Sequence, residues 1–241
     1  MAAPRISIVI PVYNEQAILH AAIVDLRERL QPFGWSYEII IAENGSTDRT
    51  VAIGEELALK YNDEGNGPVR MLSMGEPNYG RAMREGILAA KGELVICDEI
   101  DLCDADFHKQ ALEILETGET DFVIGSKLAS GSADDRPLVR HVASIAYSIL
   151  LKALLGFRGT DTHGLKAFRR SALLDVVQAC LVEKDVFASE FVIRADRGGI
   201  AIREIPVHVV EKRPPSINLF KRVPNVLKSL AKLTWAIRVR G

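Results

Sequence analysis

The strongest constraint on this chain is an alternation: short β-branched runs without helical period take turns with segments whose apolar residues recur every three or four positions. Ile6 to Val12, Glu38 to Ala42, Val69 to Ser73, Glu93 to Cys97 and Phe122 to Ile124 are the runs, and they suit strands buried on both faces. The segments between them predict helices. Leu19, Ile23, Leu26 and Leu30 stripe the first, with Asn14 as its expected N-cap; Thr50 to Lys60, Tyr79 to Ala90 and Ala105 to Glu116 follow. Strands and helices alternating at these lengths require right-handed βαβ crossovers and so a largely parallel sheet covered on both sides. Ligands in such sheets bind beyond the carboxyl ends of the strands, which points to the loops after Ile10, Ile41, Leu72 and Ile96.

After Ser126 the rhythm breaks. Ser130 to Pro137 reads as a mobile loop, Leu138 to Leu155 as an unusually apolar helix and Gly156 to Gly164 as a glycine-containing turn. A further helix, a strand-like Ile200 to Val210, a Pro214-Pro215 break and a basic final helix complete the chain. No repeat or long linker divides it, so one domain over residues 1–211 with a basic amphipathic extension over 212–241 is the expectation.

Charge divides the chain more sharply than composition does. Eight of the 30 basic residues follow Glu211 and none of the 32 acidic ones does, so the net −2 separates into a +8 tail and a −10 body. Such a tail seeks an anionic partner, a membrane surface or a phosphorylated ligand. It lacks the aromatic interleaving of a nucleic-acid module, and the body is acidic. Three cysteines without CxxC spacing support neither a disulfide framework nor a zinc knuckle, which suits a reducing compartment. The first residues lack a leader pattern, and the longest apolar stretch, Val142 to Leu151, is too short to span a bilayer. The expected location is cytoplasmic, with a peripheral contact at the cytoplasmic membrane face.

Two loops carry the chemistry. The glycine turn in AENGSTD opens a helix, whose free N–H groups suit a phosphate or ribose; the same residues also read as an Asn44-Gly45 turn with Ser46 or Thr47 as cap. Neither GxGxxG nor a P-loop occurs, against dinucleotide and P-loop sites. Asp98, Glu99 and Asp101 crowd the end of an apolar strand, and a hard divalent cation bridging to a diphosphate would relieve their repulsion. A solvated acidic turn, with Asp104 and Asp106 capping the next helix, accounts for the same residues. Cys103 reads as a buried bystander and His163 as a hydrogen-bonded turn residue.

Read in order, PVYNE, AENGSTD, NYGRAMREG, GELVICDEID, GSK, DTHGLKAFRR and EIPV resemble the family 2 glycosyltransferases, and within them the dolichyl- or polyprenyl-phosphate mannose synthases and related transferases. The resemblance implies an α/β GT-A fold, three layers α/β/α around a mostly parallel sheet. It implies an inverting transfer of a hexose from a nucleotide-diphospho-sugar, of GDP-mannose or UDP-glucose type, to polyprenyl phosphate. The donor would meet Pro11, Tyr13, Glu15, Glu43, Ser46, Asn78, Arg81 and Asp98. Glu99-Ile100-Asp101 takes the DxD position, glutamate replacing the first aspartate, and would hold Mg2+ or Mn2+. Lys127, Arg140 and Arg213 would meet the acceptor phosphate. A phosphate oxygen is already ionised near neutral pH, whereas an alcohol acceptor would need a base, Asp161 or Asp101. A soluble transferase for a small hydroxylated acceptor and a nucleotide-sugar-binding relative without turnover are the alternatives. Leu219, Val223, Val226, Leu227, Leu230, Leu233 and Ile237 give the tail helix one apolar face, suited to an anionic membrane or to packing on its own domain.

Overall fold

A computed structural model describes residues 3–62, 67–134, 138–209 and 219–239. Strand β1 (Ile6–Val12) is buried along its whole length and lies between β2 (Tyr37–Glu43) and β4 (Leu94–Cys97), parallel to both, with Ile8 opposite Ile39 and Ile96. β3 (Val69–Ser73) extends the sheet beyond β2. Side-chain alternation explains why these strands read as continuous apolar runs. Ile8, Ile10, Ile39, Ile41 and Ile96 enter one core cluster, and Val9, Ile40, Ala42 and Val95 enter a second on the other face.

Helices cover both faces. α1 (Leu19–Leu30) and α4 (Ala105–Glu116) supply Leu19, Ile23, Leu26, Phe107 and Leu112 to the first cluster. α3 (Tyr79–Ala89), α6 (Arg170–Ala179) and α7 (Phe187–Arg197) supply Ile87, Leu173, Val177 and Phe191 to the second, the expected three-layer α/β/α arrangement. α2 (Thr50–Lys60) packs beside α1 and β3. Asn14 does not cap α1, which begins at Leu19; it adopts a left-handed φ of 54° and its side chain serves the neighbouring loop.

Beyond β5 (Phe122–Ser126) the chain departs from the simple repeat. With β8 at Ile202–Pro206, the strand order is β3-β2-β1-β4-β7-β5-β8, and β7 (Lys166–Arg169) is antiparallel to both neighbours. The sequence suggested only a turn there, since four residues are too few to show a period. The segment Ile200 to Val210 divides into β8 (Ile202–Pro206), parallel to β5, and β9 (His208–Val209), which pairs with the short β6 (Ala133–Asp134). α5 (Leu138–Leu155) and α8 (Leu219–Val239) pack against each other on the second face. Leu230, Leu233 and Ile237 join the core there, and Arg194 donates to the Ala236 carbonyl at 3.2 Å.

Candidate active site at the carboxyl edge of the sheet

The sheet's order turns outward from β1 in both directions, so the ends of β1, β2 and β4 open a crevice between diverging loops. The β1 and β2 loops are joined by side chains. Asn14 N–H donates to Ser46 Oγ at 3.0 Å, Thr47 N–H to Asn14 Oδ1 at 2.8 Å and Glu15 N–H to Thr50 Oγ1 at 2.7 Å. Arg49 takes the N-cap position of α2 and Asp48 just before it accepts from Thr50 N–H at 2.9 Å, so Ser46 and Thr47 are not its caps. Gly45 has φ 69°, and a Cβ on it would stand 2.3 Å from the Glu76 backbone, which is why glycine occupies this turn.

Four residues expected to bind a donor have their side chains engaged in the frame of the crevice. Pro11 is buried within β1. Glu43 is fully buried, its two oxygens accepting from Ser46 N–H and from Ser73 Oγ–H. Asn78 caps α3, accepting from Arg81 N–H and Lys184 N–H at 3.0 Å each and donating to Glu183 at 2.7 Å. Asp98 turns inward onto His108, with 2.6 Å between Oδ2 and Nε2, and its Oδ1 accepts the Glu99 N–H at 2.7 Å. A buried carboxyl or amide needs such partners, and each of these found them inside the protein. Tyr13 is exposed, Glu15 and Ser46 are half-buried, and Arg81 is 42% exposed, paired with Glu76 at 2.9 Å.

Glu99 and Asp101 occupy the turn after β4. Burial, and then the neighbouring Asp101 charge, push the Glu99 carboxyl up to about 7. Lys127 and Lys166 act on it in the opposite direction, so the acidic turn and two ammonium groups share one electrostatic field. Two crowded carboxylates would suit a hard divalent ion, which would draw its further oxygen ligands from outside the protein. Among the described residues no three His, Cys, Asp or Glu side chains converge to hold a metal by themselves. Cys103 is buried with φ 43°, its Sγ directed to the Ile100 carbonyl at 3.5 Å, and Asp104 caps α4 by accepting from Phe107 N–H at 2.9 Å.

Lys127, just past β5, pairs with Asp161 at 3.2 Å. Burial alone would raise the Asp161 carboxyl, but the Lys127 charge and the His163 N–H hold it below the usual carboxylate range. Because β7 runs antiparallel, its first residue comes to the same edge: Lys166 lies opposite Cys97 and Ile124 and donates to the Gly164 carbonyl at 2.6 Å. Burial pulls the Lys166 pKa down, against the raising effect of Cys97, Asp161 and Glu99. Glu204 on β8 clamps the turn from below, accepting from Thr160 N–H and Thr160 Oγ–H at 2.6 Å each. His108, Lys166 and Glu204 received no role from the sequence; only Lys166, between Leu165 and Ala167, stood out there as a charge inside an apolar run. Arg140 stands in the first turn of α5, its side chain outside the described residues, and Arg213 lies outside them altogether.

An α/β/α sandwich with this crevice and an acidic turn after β4 defines the GT-A fold. A solved structure of glucosyl-3-phosphoglycerate synthase from Mycobacterium tuberculosis, in complex with Mn2+, UDP and glucosyl-3-phosphoglycerate, superposes with a TM-score of 0.65 at 21% identity, over 96% of this chain and 80% of that one. Residues 7–177 match the model of Glycosyl transferase family 2, and the chain belongs to that family. It is 28% identical to glycosyltransferase AglD of Haloferax volcanii over 99% of this chain, and 28% identical to the dolichyl-phosphate beta-glucosyltransferase of Saccharomyces cerevisiae over 84%. The chain spans 38% of the haloarchaeal relative's length and 66% of the yeast relative's.

Proposed function

We propose that this chain transfers a hexose, with inversion, from a nucleotide-diphospho-sugar to polyprenyl phosphate at a membrane surface. The observation that carries the reading is the shared field of Glu99, Asp101 and Lys127 at the sheet's carboxyl edge. Glu99 and Asp101 would hold Mg2+ or Mn2+, which when bound neutralises charge developing on the departing diphosphate. Tyr13, Glu15, Ser46 and Arg81 line the approach on the donor side. Lys127, with Arg140 and Arg213, would hold the acceptor phosphate; Asp161 keeps the Lys127 ammonium in place until that phosphate arrives. The phosphate oxygen attacks the anomeric carbon as the bond to the diphosphate breaks, and being ionised it needs no general base.

The yeast relative's name supports a dolichyl-phosphate acceptor and glucose, and the UDP and Mn2+ of the mycobacterial structure support a uridine donor and a divalent ion. Residues 1–211 would supply the transfer chemistry and 212–241 a basic extension, at the cytoplasmic side of a membrane. The test is transfer of radiolabel from UDP-glucose or GDP-mannose, with Mn2+, to polyprenyl phosphate, followed by extraction into organic solvent. Label in the lipid phase is expected, with D101N reducing its rate about 100-fold or more. Label only in a water-soluble product, such as one formed with 3-phosphoglycerate, would replace this reading with a small-acceptor transferase. Donor binding without release of nucleoside diphosphate would leave a binding protein.

A further inference from the structure

The described part of the tail's apolar face is not available to a membrane. Leu230, Leu233 and Ile237, the described part of that stripe, are spent against the protein's own core. What α8 turns outward is the opposite line, Lys228, Lys232, Trp235 and Val239, with Trp235 51% and Val239 67% exposed. Successive members of that line fall within about 60° of one another on a helical projection, so they form one strip.

The neighbouring helix continues it. On α5, Leu151 and Leu155 face the core, while Val142, Ile145 and Ile149, at steps of three and four, are exposed to 63%, 40% and 58%. Leu150 and Leu154 bridge from that stripe toward α8, where Leu154, Leu230, Trp235 and Val239 wall a cleft of 510 Å³. The apolar patch is therefore continuous across two helices. Its charges all have one sign: Lys152, Lys228, Lys232 and Arg238 are exposed, and neither helix contains an aspartate or glutamate. Isolated exposed apolar residues are ordinary, but a contiguous stripe on two helices whose only charged residues are cations is not.

We infer that α5 and α8 together form a docking face for an anionic lipid surface, with the α5 stripe entering the headgroup boundary, the lysines meeting lipid phosphates and Trp235 at the water interface. Large apolar side chains beside cations, on helices without an acidic residue, are the chemistry of interfacial helices. A second copy of this chain would bring an equally cationic face against it and is disfavoured by the missing carboxylates. The inference takes its purpose from the lipid-phosphate reading above, but its test requires no sugar transfer.

Flotation with vesicles of phosphatidylglycerol and phosphatidylcholine at 3:7, against phosphatidylcholine alone, tests it. The protein should float with the anionic vesicles, and 0.5 M salt, K228E/K232E and I145E/I149E should each weaken binding roughly tenfold or more. The positions are exposed, and unchanged thermal unfolding of each variant verifies folding. Independently of those variants, W35F leaves Trp235 as the sole tryptophan, and its emission should shift to the blue on adding anionic vesicles. Equal affinity for both vesicle types, or no flotation and no shift, would overturn the proposal. So would a concentration-dependent dimer abolished by I145E/I149E, which would assign the face to a second copy. Failure here with sugar transfer to polyprenyl phosphate intact would remove the docking face alone.

Discussion

Lys127, half-buried, and Asp161, buried, form a pair whose partners come from different motifs 34 residues apart in sequence, and the pair ties the basic and acidic halves of the crevice together. Its energetics are set by burial: removing one member leaves the other charged and desolvated. K127M is therefore expected to cost about 3 kcal/mol at pH 7 by urea unfolding. The sign of the pH dependence follows from Asp161. Its folded pKa lies below the ordinary 3.8, so the pair stabilises the protein above that value and the contribution is lost as pH falls through the folded pKa. The gap between wild type and K127M should narrow between pH 7 and pH 3; a constant gap would show that the pair is not its source. At this scale the sequence carried residue type but not direction. Glu43, Asn78 and Asp98 were conspicuous as polar residues at strand and helix ends, yet each side chain is committed inward, to Ser73, Glu183 and His108 respectively. Partners 10 to 105 residues distant cannot be read from local spacing.

The element that most shapes the crevice is one of the two shortest central strands. β7 enters the sheet between β4 and β5, and only its reversed direction brings Lys166 to the edge where Glu99 stands. Its approach is governed by Gly164, where a Cβ would lie 1.7 Å from the Gly125 carbonyl oxygen. Backbone cannot yield as a flexible side chain does, so G164A should destabilise the protein by about 3 kcal/mol or more in equilibrium unfolding, or prevent recovery of folded chain. A thermal midpoint within a degree of wild type would refute that close approach. The longer elements were legible because they have period: Leu19, Ile23, Leu26 and Leu30 announce α1, and all four are buried. β7 offered only Lys-Ala-Phe-Arg, with a charge at each end.

Across the whole molecule, two apolar clusters on opposite faces of one sheet enclose all three thiols. Burial pushes the Cys97 thiol up to about 12 and raises that of Cys180. At pH 8 the folded protein should react with a thiol-specific disulfide reagent much more slowly than in guanidinium, where all three cysteines titrate; rapid reaction of any one in the native state would contradict this packing. The division of charge acquires a place at the same scale. The described part of the basic tail rides on α7 and α5 rather than standing apart from the acidic body.

The sequence by itself determined the alternating α/β class, most strand and helix positions, the acidic turn after β4 and the cationic tail, because period, composition and order of motifs are local properties. Tertiary structure alone decided the rest: which polar side chains face the crevice, where β7 inserts, and which side of α8 remains outside. Those outcomes depend on which distant groups satisfy a buried charge and which apolar face the core takes first.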